Sequence, residues 1–261
     1  MSVAPTFLVV DGVSLAVHRE HVASQGALRT PIIFLHDPLG CITTWREVPQ
    51  RIGTATGREV IVYDRQGHGR SAPFDSSPRQ RDYMHREADR LCVLLDQLEV
   101  PKAVLFGHSD GGTIALLAAA QRPAQFEAVI TEGAHVFVED ITLAGIRAAE
   151  REYVRGGLRE RLLRHHGERT EALVQAWTQT WQAPFFRSWD ITADIAAVRC
   201  PVLVLQGVDD AYGTEAQVQA IARSVGGEAR TYIIPGAAHT PHKEAPAITE
   251  ELVTAFLAAL P

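Results

Sequence analysis

The chain has 261 residues, of which 46% are hydrophobic and 21% charged, and its formal net charge is −6. This composition is typical of a globular protein, and the negative charge offers no basic footprint for nucleic acid. Three cysteines at wide spacing cannot form a full set of disulfides, which favours a reducing compartment.

Short strand-like runs alternate with helical runs along most of the chain. Strands are predicted at residues 7–10, 14–18, 31–35, 59–63, 103–106, 128–131, 201–205 and 230–234, with a hairpin signal at Asp11-Gly12. Helices are predicted at residues 45–52, 80–98, 112–121, 215–225 and 247–260. This alternation predicts an α/β fold with a mostly parallel eight-stranded sheet, the first two strands antiparallel, and helices on both faces.

Residues 136–190 interrupt that alternation. They show no convincing strand pattern, and they hold three of the four tryptophans. Glycines at 156, 157 and 167 divide the segment into about four predicted helices. We therefore predict a helical cap at residues 136–190, inserted after the sixth strand of a core formed by residues 1–135 and 191–261.

The start of the chain shows no basic stretch followed by an apolar stretch, so no signal peptide is expected. No apolar run approaches the length that spans a bilayer. Together with the cysteine count, these features predict a cytoplasmic protein that binds neither membrane nor nucleic acid.

One pentapeptide, Gly107-His108-Ser109-Asp110-Gly111, stands between a predicted strand and an apolar helix. A Gly-x-Ser-x-Gly sequence in that context places its serine on a strained turn with the hydroxyl exposed. The pentapeptide alone is weak evidence, but the strand before it and the helix after it supply the required context. Ser109 is therefore a candidate nucleophile.

A serine nucleophile needs a base, and the base needs an acid that fixes its tautomer. In a parallel sheet, such groups come from the loops at the carboxyl ends of the strands. Asp209 and Asp210 follow the seventh strand, and His239 follows the eighth. His242 is a second candidate base, although its place further along the loop predicts a surface residue.

Five motifs in this order make the chain resemble the α/β-hydrolase superfamily, specifically its small cap-bearing serine hydrolases. They cover nearly the whole chain: Leu35-His36, Tyr63-Asp64-Arg65-Gln66-Gly67-His68-Gly69-Arg70-Ser71, Gly107-His108-Ser109-Asp110-Gly111-Gly112, Gly207-Val208-Asp209-Asp210, and His239 followed by Glu244 and Pro246.

The resemblance implies a catalytic triad: Ser109 as nucleophile, His239 as general base and then acid, and Asp210 as the orienting acid. It favours Asp210 over Asp209, because the family's acid usually stands three residues after the glycine. Glu132 occupies another position where relatives sometimes have the acid. The backbone N–H of Asp110 is implied as one oxyanion donor.

No cofactor is implied by the resemblance, and no metal site is predicted. The histidine pairs at 165–166 and at 239 and 242 lack a third ligand at matching spacing.

The loop after the third strand departs from the family pattern. In relatives, the second residue after the strand's histidine supplies the other oxyanion N–H, and here that position is Pro38, which has none. Three alternatives remain: Leu39 or Gly40 donates, water substitutes, or the reaction builds no conventional oxyanion. Asp37 replaces a usual glycine, and its carboxylate either reaches the pocket or caps a turn.

This architecture keeps its substrate between cap and sheet. We predict that Asp37, Phe137, Trp177, Trp181 and Phe185 line that pocket. A mainly apolar pocket suits a small hydrophobic or aromatic acyl compound as the partner. A homodimer is left open as an alternative to a monomer.

The resemblance implies hydrolysis of a small carboxylic ester or related acyl compound through an acyl-enzyme on Ser109. Two alternatives keep the fold: a C–C bond hydrolase, thioesterase or cofactor-free lyase or oxygenase on the same triad, and a non-catalytic ligand-binding protein. Family members with an aspartate nucleophile, such as haloalkane dehalogenases and most epoxide hydrolases, are disfavoured, because Ser109 occupies that position.

Overall fold

A computed structural model describes residues 4–21, 29–74 and 79–260. Its strands are β1 (Thr6–Val10), β2 (Val13–Glu20), β3 (Arg29–Leu35), β4 (Arg58–Tyr63), β5 (Ala103–His108), β6 (Phe126–Glu132), β7 (Val202–Gly207) and β8 (Ala229–Ile234). They form one sheet in the order β1-β2-β4-β3-β5-β6-β7-β8. β1 and β4 both pair antiparallel with β2, and the other neighbours are parallel. The predicted mostly parallel eight-stranded sheet is confirmed.

Helices cover both faces of this sheet. They are α1 (Val48–Thr56), α2 (Tyr83–Gln97), α3 (Asp110–Gln121), α4 (Asp140–Arg155), α5 (Leu158–His166), α6 (Thr170–Gln182), α7 (Glu215–Ser224), α8 (Pro241–Glu244) and α9 (Pro246–Ala258). α2, α3 and α7 bury apolar side chains against one face, and α1 and α9 against the other. β5 and β7 are buried along their whole length, as expected of strands covered on both faces.

The parallel strands end together at one edge of the sheet. In the register of the sheet, Leu35 of β3 lies beside Gly107 of β5, and His108 lies beside Glu132 of β6. Because polar loops leave the sheet at these carboxyl ends, this edge collects the chemically active side chains.

The segment of residues 136–190 lies between β6 and β7, and we call it the cap segment. It contains α4, α5 and α6 and two short 3-10 turns at Gly167–Arg169 and Pro184–Phe186, in place of the four helices expected. A backbone bridge between Phe137 and Asp190 joins its two ends. The division of the chain into a core and a cap stays a prediction.

No helix in the described ranges is long and apolar enough to cross a membrane. The longest of them, α4, has 16 residues, where a span needs about 20. The expected lack of a signal peptide rests partly on residues 1–3, which lie outside the described residues.

Candidate active site

Ser109 lies at the sharp turn between β5 and α3. Its φ of 54° and ψ of −121° belong to a backbone region that residues other than glycine seldom adopt. Its N–H donates to the carbonyl oxygen of Glu132 at 2.8 Å, which holds the turn against β6. A Cβ on Gly111 would lie 2.0 Å from the carbonyl oxygen of Leu35, so only glycine lets α3 approach β3 this closely.

The loops after β7 and β8 bring a carboxylate and an imidazole to this turn. Nε2 of His239 lies 3.0 Å from Oγ of Ser109, and Nδ1 lies 2.9 Å from both carboxylate oxygens of Asp210. Because a carboxylate only accepts, Nδ1 donates and Nε2 keeps a lone pair that faces the hydroxyl. This is the tautomer that can take a proton from serine.

The Asp210 carboxyl stays ionised in this setting. Burial raises its pKa, but the hydrogen bond and charge of His239 and the N–H of Tyr212 outweigh burial and lower the pKa below its usual value. The Tyr212 N–H lies 2.8 Å from Oδ1 of Asp210. A buried carboxylate held this way can stabilise the imidazolium that forms when His239 takes a proton.

The rival acids do not contact His239. Asp209 is exposed. The Glu132 carboxylate is buried and accepts both the backbone N–H of His242, at 2.5 Å, and its Nδ1–H. His239 thus pairs with Asp210, and His242 pairs with Glu132.

The expected surface position of His242 is wrong, because only 3% of this residue is exposed. The short helix α8 begins at Pro241 and turns the loop inward, where the His242 ring packs 4.7 Å from the Trp45 ring. Glu132 therefore binds the turn of Ser109 through its carbonyl and the loop of His239 through its carboxylate.

We expect Glu132→Gln to lower the free energy of unfolding by about 2 kcal/mol, because the amide offers one acceptor oxygen to the two buried N–H groups of His242 and leaves one of them without a partner. Urea unfolding measures this change. Glu251→Gln, at an exposed position on α9, is the matched control and should stay within about 0.5 kcal/mol of the parent. Equal unfolding free energies in the two variants would refute the structural role of Glu132.

The loop after β3 offers no free N–H at the positions expected to hold an oxyanion. Pro38 has none, the Leu39 N–H donates to Oδ1 of Asp37 at 2.8 Å, and the Gly40 N–H donates to the Asp37 carbonyl at 3.1 Å. In this conformation neither Leu39 nor Gly40 is available as a donor. Asp110 begins α3, so its N–H has no acceptor within the helix.

Asp37 also pairs with the histidine that precedes the nucleophile. Nε2 of His108 lies 2.8 Å from the carbonyl oxygen of His239, and Nδ1 lies 3.4 Å from Oδ2 of Asp37. Because a carbonyl only accepts, Nε2 of His108 donates to His239, while Nδ1 faces the Asp37 carboxylate at ion-pair distance.

The pKa directions of the two groups agree with this ion pair. Burial lowers the pKa of His108, but the hydrogen bond and charge of Asp37 and the charge of Glu132 raise it above its usual value. Burial raises the pKa of Asp37, but His108 and the charge of Lys243 hold it well below its usual range. The Asp37 carboxyl is therefore ionised.

A cavity of about 620 Å³ lies over Ser109 and His239, between the sheet edge and the cap segment. Three residues of the predicted pocket are in its wall, namely Asp37, Trp177 and Trp181. The side chain of Asp37 is 21% exposed there, so this one carboxylate both caps the turn and faces the cavity.

Phe137 and Phe185 were expected in this wall, and the described structure places both outside it. Phe137 takes part in the backbone bridge to Asp190 and packs on the main apolar core. Phe185 sits in a 3-10 turn and is 42% exposed, with its ring against Phe186. Hydrophobicity alone gave no sign of which side of the cap segment each ring faces.

Two tyrosines at the site had no sequence signal. The Tyr212 ring lies 4.6 Å from the His239 ring, centroid to centroid, and also lines the cavity. Tyr83 of α2 donates to Oδ2 of Asp110 at 2.9 Å and accepts from Nε1 of Trp181 at 3.1 Å. Hydrogen bonds thus connect α6 of the cap segment to the residue that follows the nucleophile.

One set of three side chains in the described part of the chain has the spacing of metal ligands. Ligand atoms of His108, Glu132 and His242 lie within 4.8 Å of one another. Glu132 and His242 already bind each other, and His108 binds Asp37 and His239. A metal ion would have to displace these hydrogen bonds.

Comparisons with known proteins show which family and which proteins the chain is similar to. The family model described as "Alpha/beta hydrolase family" matches residues 32–252. An epoxide hydrolase of Caballeronia sordidicola is 39% identical over 123 residues, which are 47% of this chain and 34% of that protein. The serine hydrolase BPHL of Homo sapiens is 29% identical over 190 residues, which are 70% of this chain and 64% of that protein.

The chain thus spans between about a third and two thirds of the length of these curated relatives. Among solved structures, a thermophilic esterase from Thermogutta terrifontis superposes with a TM-score of 0.75 over 99% of both chains, at 21% identity. At this identity the likeness concerns the fold.

Proposed function

The chain belongs to the α/β-hydrolase family, and we propose that it is a serine hydrolase that cleaves a small carboxylic ester or related acyl compound. The observation that supports this most is the continuous series of contacts from Ser109 to His239 to Asp210, within 3.0 Å at each step. The similarity to a human serine hydrolase over 70% of this chain is a second support.

The proposed reaction has two halves. Oγ of Ser109 attacks the carbonyl carbon while Nε2 of His239 takes its proton, and the resulting imidazolium gives that proton to the leaving alcohol. Water then attacks the acyl-enzyme with His239 again as base. In both halves the N–H of Asp110 is the proposed donor to the oxyanion.

Serine chemistry favours an acyl compound over an epoxide as substrate. An aspartate that opens an epoxide forms an ester, which water can cleave. A serine that opened an epoxide would form an ether, which water does not release under these conditions. The chain therefore differs in proposed chemistry from the family members that use an aspartate, although a protein named epoxide hydrolase is among its relatives.

The cavity supports a small substrate. Its volume of about 620 Å³ falls in the range of small-molecule sites, and Trp177 and Trp181 give part of its wall an aromatic surface. The test is a chain-length series of esters and thioesters, assayed beside the Ser109→Ala variant. Turnover that is independent of Ser109 would exclude the proposed function.

The lack of a free N–H in the loop after β3 favours a second candidate function, which would use the same Ser109, His239 and Asp210. With no free N–H at positions 38–40, this conformation offers one fewer oxyanion donor than the family pattern. Hydrolysis of a C–C bond, or cofactor-free lyase chemistry, can depend less on two donors. Faster turnover of a C–C substrate than of any ester or thioester would favour this candidate.

We expect Pro38→Gly to raise kcat on an activated ester by about 10²-fold, because the new N–H stands where relatives have the second donor. Stopped-flow release of the leaving group measures this. Since the Pro38 carbonyl oxygen still accepts from His68 in the variant, the loop keeps that anchor. No gain would mean that another N–H already serves the oxyanion.

A further inference from the structure

Asp37 occupies the backbone N–H groups of the loop after β3 that could otherwise bind an oxyanion. Pro38 has no N–H, and the two N–H groups that follow it both donate to Asp37: Leu39 to the side chain and Gly40 to the carbonyl. Of these two, only the Leu39 N–H is bound by a side chain that a rotation could withdraw. The Asp37 carboxylate therefore decides whether the Leu39 N–H is free.

The surroundings are built to hold this carboxylate at the cavity. A Cβ on Gly40 would lie 2.7 Å from Oδ2 of Asp37, so the glycine leaves room for the side chain. Nδ1 of His108 lies 3.4 Å from Oδ2 of Asp37, whose side chain stays 21% exposed and lines the cavity. With one N–H on Oδ1 and one distant partner on Oδ2, the carboxylate keeps lone pairs for another donor.

An ester that carries no hydroxyl or ammonium group cannot form a hydrogen bond to the Asp37 carboxylate. Its oxyanion would form while the Leu39 N–H is bound to the Asp37 carboxylate. A substrate with a hydroxyl or ammonium group near its carbonyl would instead bind Asp37. When that donor turns the carboxylate toward itself, the hydrogen bond from the Leu39 N–H is broken.

We propose that Asp37 is a specificity-determining residue that selects acyl substrates with a hydroxyl or ammonium group close to the scissile carbonyl. The donor of the substrate draws the carboxylate away from Leu39, and the freed Leu39 N–H becomes the second oxyanion donor. This inference rests on the proposed function, because it needs a serine attack on a carbonyl. It predicts that the donor acts on kcat, since the freed N–H meets the oxyanion only in the transition state.

The test compares phenyl esters of butyric, β-hydroxybutyric and β-aminobutyric acid, each rate divided by the spontaneous hydrolysis rate of the same ester. We expect at least one donor ester to exceed the butyrate by about 10²-fold in kcat with the unaltered protein. Equal kcat values for the three esters, or a donor effect confined to KM, would overturn the proposal.

Two variants separate the effect of the hydrogen bond between Asp37 and Leu39 from the effect of the Asp37 charge. Asp37→Ala frees the Leu39 N–H, so kcat on the butyrate ester should rise by about 10²-fold and the advantage of the donor should vanish. Asp37→Asn keeps an oxygen for Leu39 without the charge, so its kcat on the butyrate should stay low. An equal gain in both variants would overturn the proposal, because the charge alone would then explain the slow butyrate.

Failure of the inference is distinguishable from failure of the proposed function. If no ester is turned over and Ser109→Ala changes nothing, the proposed function fails and this inference fails with it. If all esters are turned over in a Ser109-dependent way but at equal kcat, only the role of Asp37 is refuted. Should Asp37→Ala not fold, the comparison of esters in the unaltered protein and in Asp37→Asn still decides.

Discussion

Ser109→Ala is expected to lose about 10⁶-fold in kcat on the best ester, the largest effect of any single change. The reason is that the proposed acyl-enzyme forms on Oγ, and alanine leaves only the residual catalysis of binding and the oxyanion donor. The fold should survive, because alanine keeps the Ser109 N–H that donates to Glu132 at 2.8 Å. Initial rates under saturating substrate measure the loss.

Ser224→Ala is the matched control, since this serine ends α7, away from the cavity wall. Its kcat should equal that of the parent. Retention of more than a hundredth of the activity by Ser109→Ala would contradict the mechanism, because general binding effects leave far less.

Asp210→Asn is expected to lose about 10⁴-fold in kcat with little change in the fold. Two carboxylate oxygens now lie 2.9 Å from Nδ1 of His239 and accept a hydrogen bond from its N–H. An asparagine amide that donates to Nδ1 would move the ring proton to Nε2. The lone pair that faces Ser109 would then be lost.

Asp209→Asn is the control for this change, because Asp209 is the neighbouring exposed acid. Its kcat should remain within about twofold of the parent, as surface substitutions away from such features change little. A similar loss in both variants would mean that Asp210 is not the acid that orients His239.

The strands of the sheet could be predicted from the sequence because they are short apolar runs between turn signals. Their order, in which β4 lies between β2 and β3, could not, because it depends on pairing between strands that are distant in the chain. Ends of elements were less predictable. β5 runs two residues past the predicted end, through Gly107 and His108, because these residues pair with β6. That pairing is a tertiary contact, which no local pattern contains.

The contacts among Ser109, Asp210 and His239 could be anticipated because all three follow strands that end at one edge. The burial of His242 could not, since it depends on the packing of its ring on Trp45 and on a carboxylate 110 residues away. Likewise, Asp37 was expected either to cap a turn or to reach the pocket. Its two oxygens let it do both.

The most direct test of the central claim is the site of covalent labelling. A fluorophosphonate probe, which reacts with activated serine hydroxyls, is incubated with the protein, and the labelled peptide is identified by mass spectrometry. We predict one probe per chain, on the peptide that contains Ser109, and no label in Ser109→Ala. Full labelling of Ser109→Ala, or a label on another residue of a protein that turns over esters, would contradict the account.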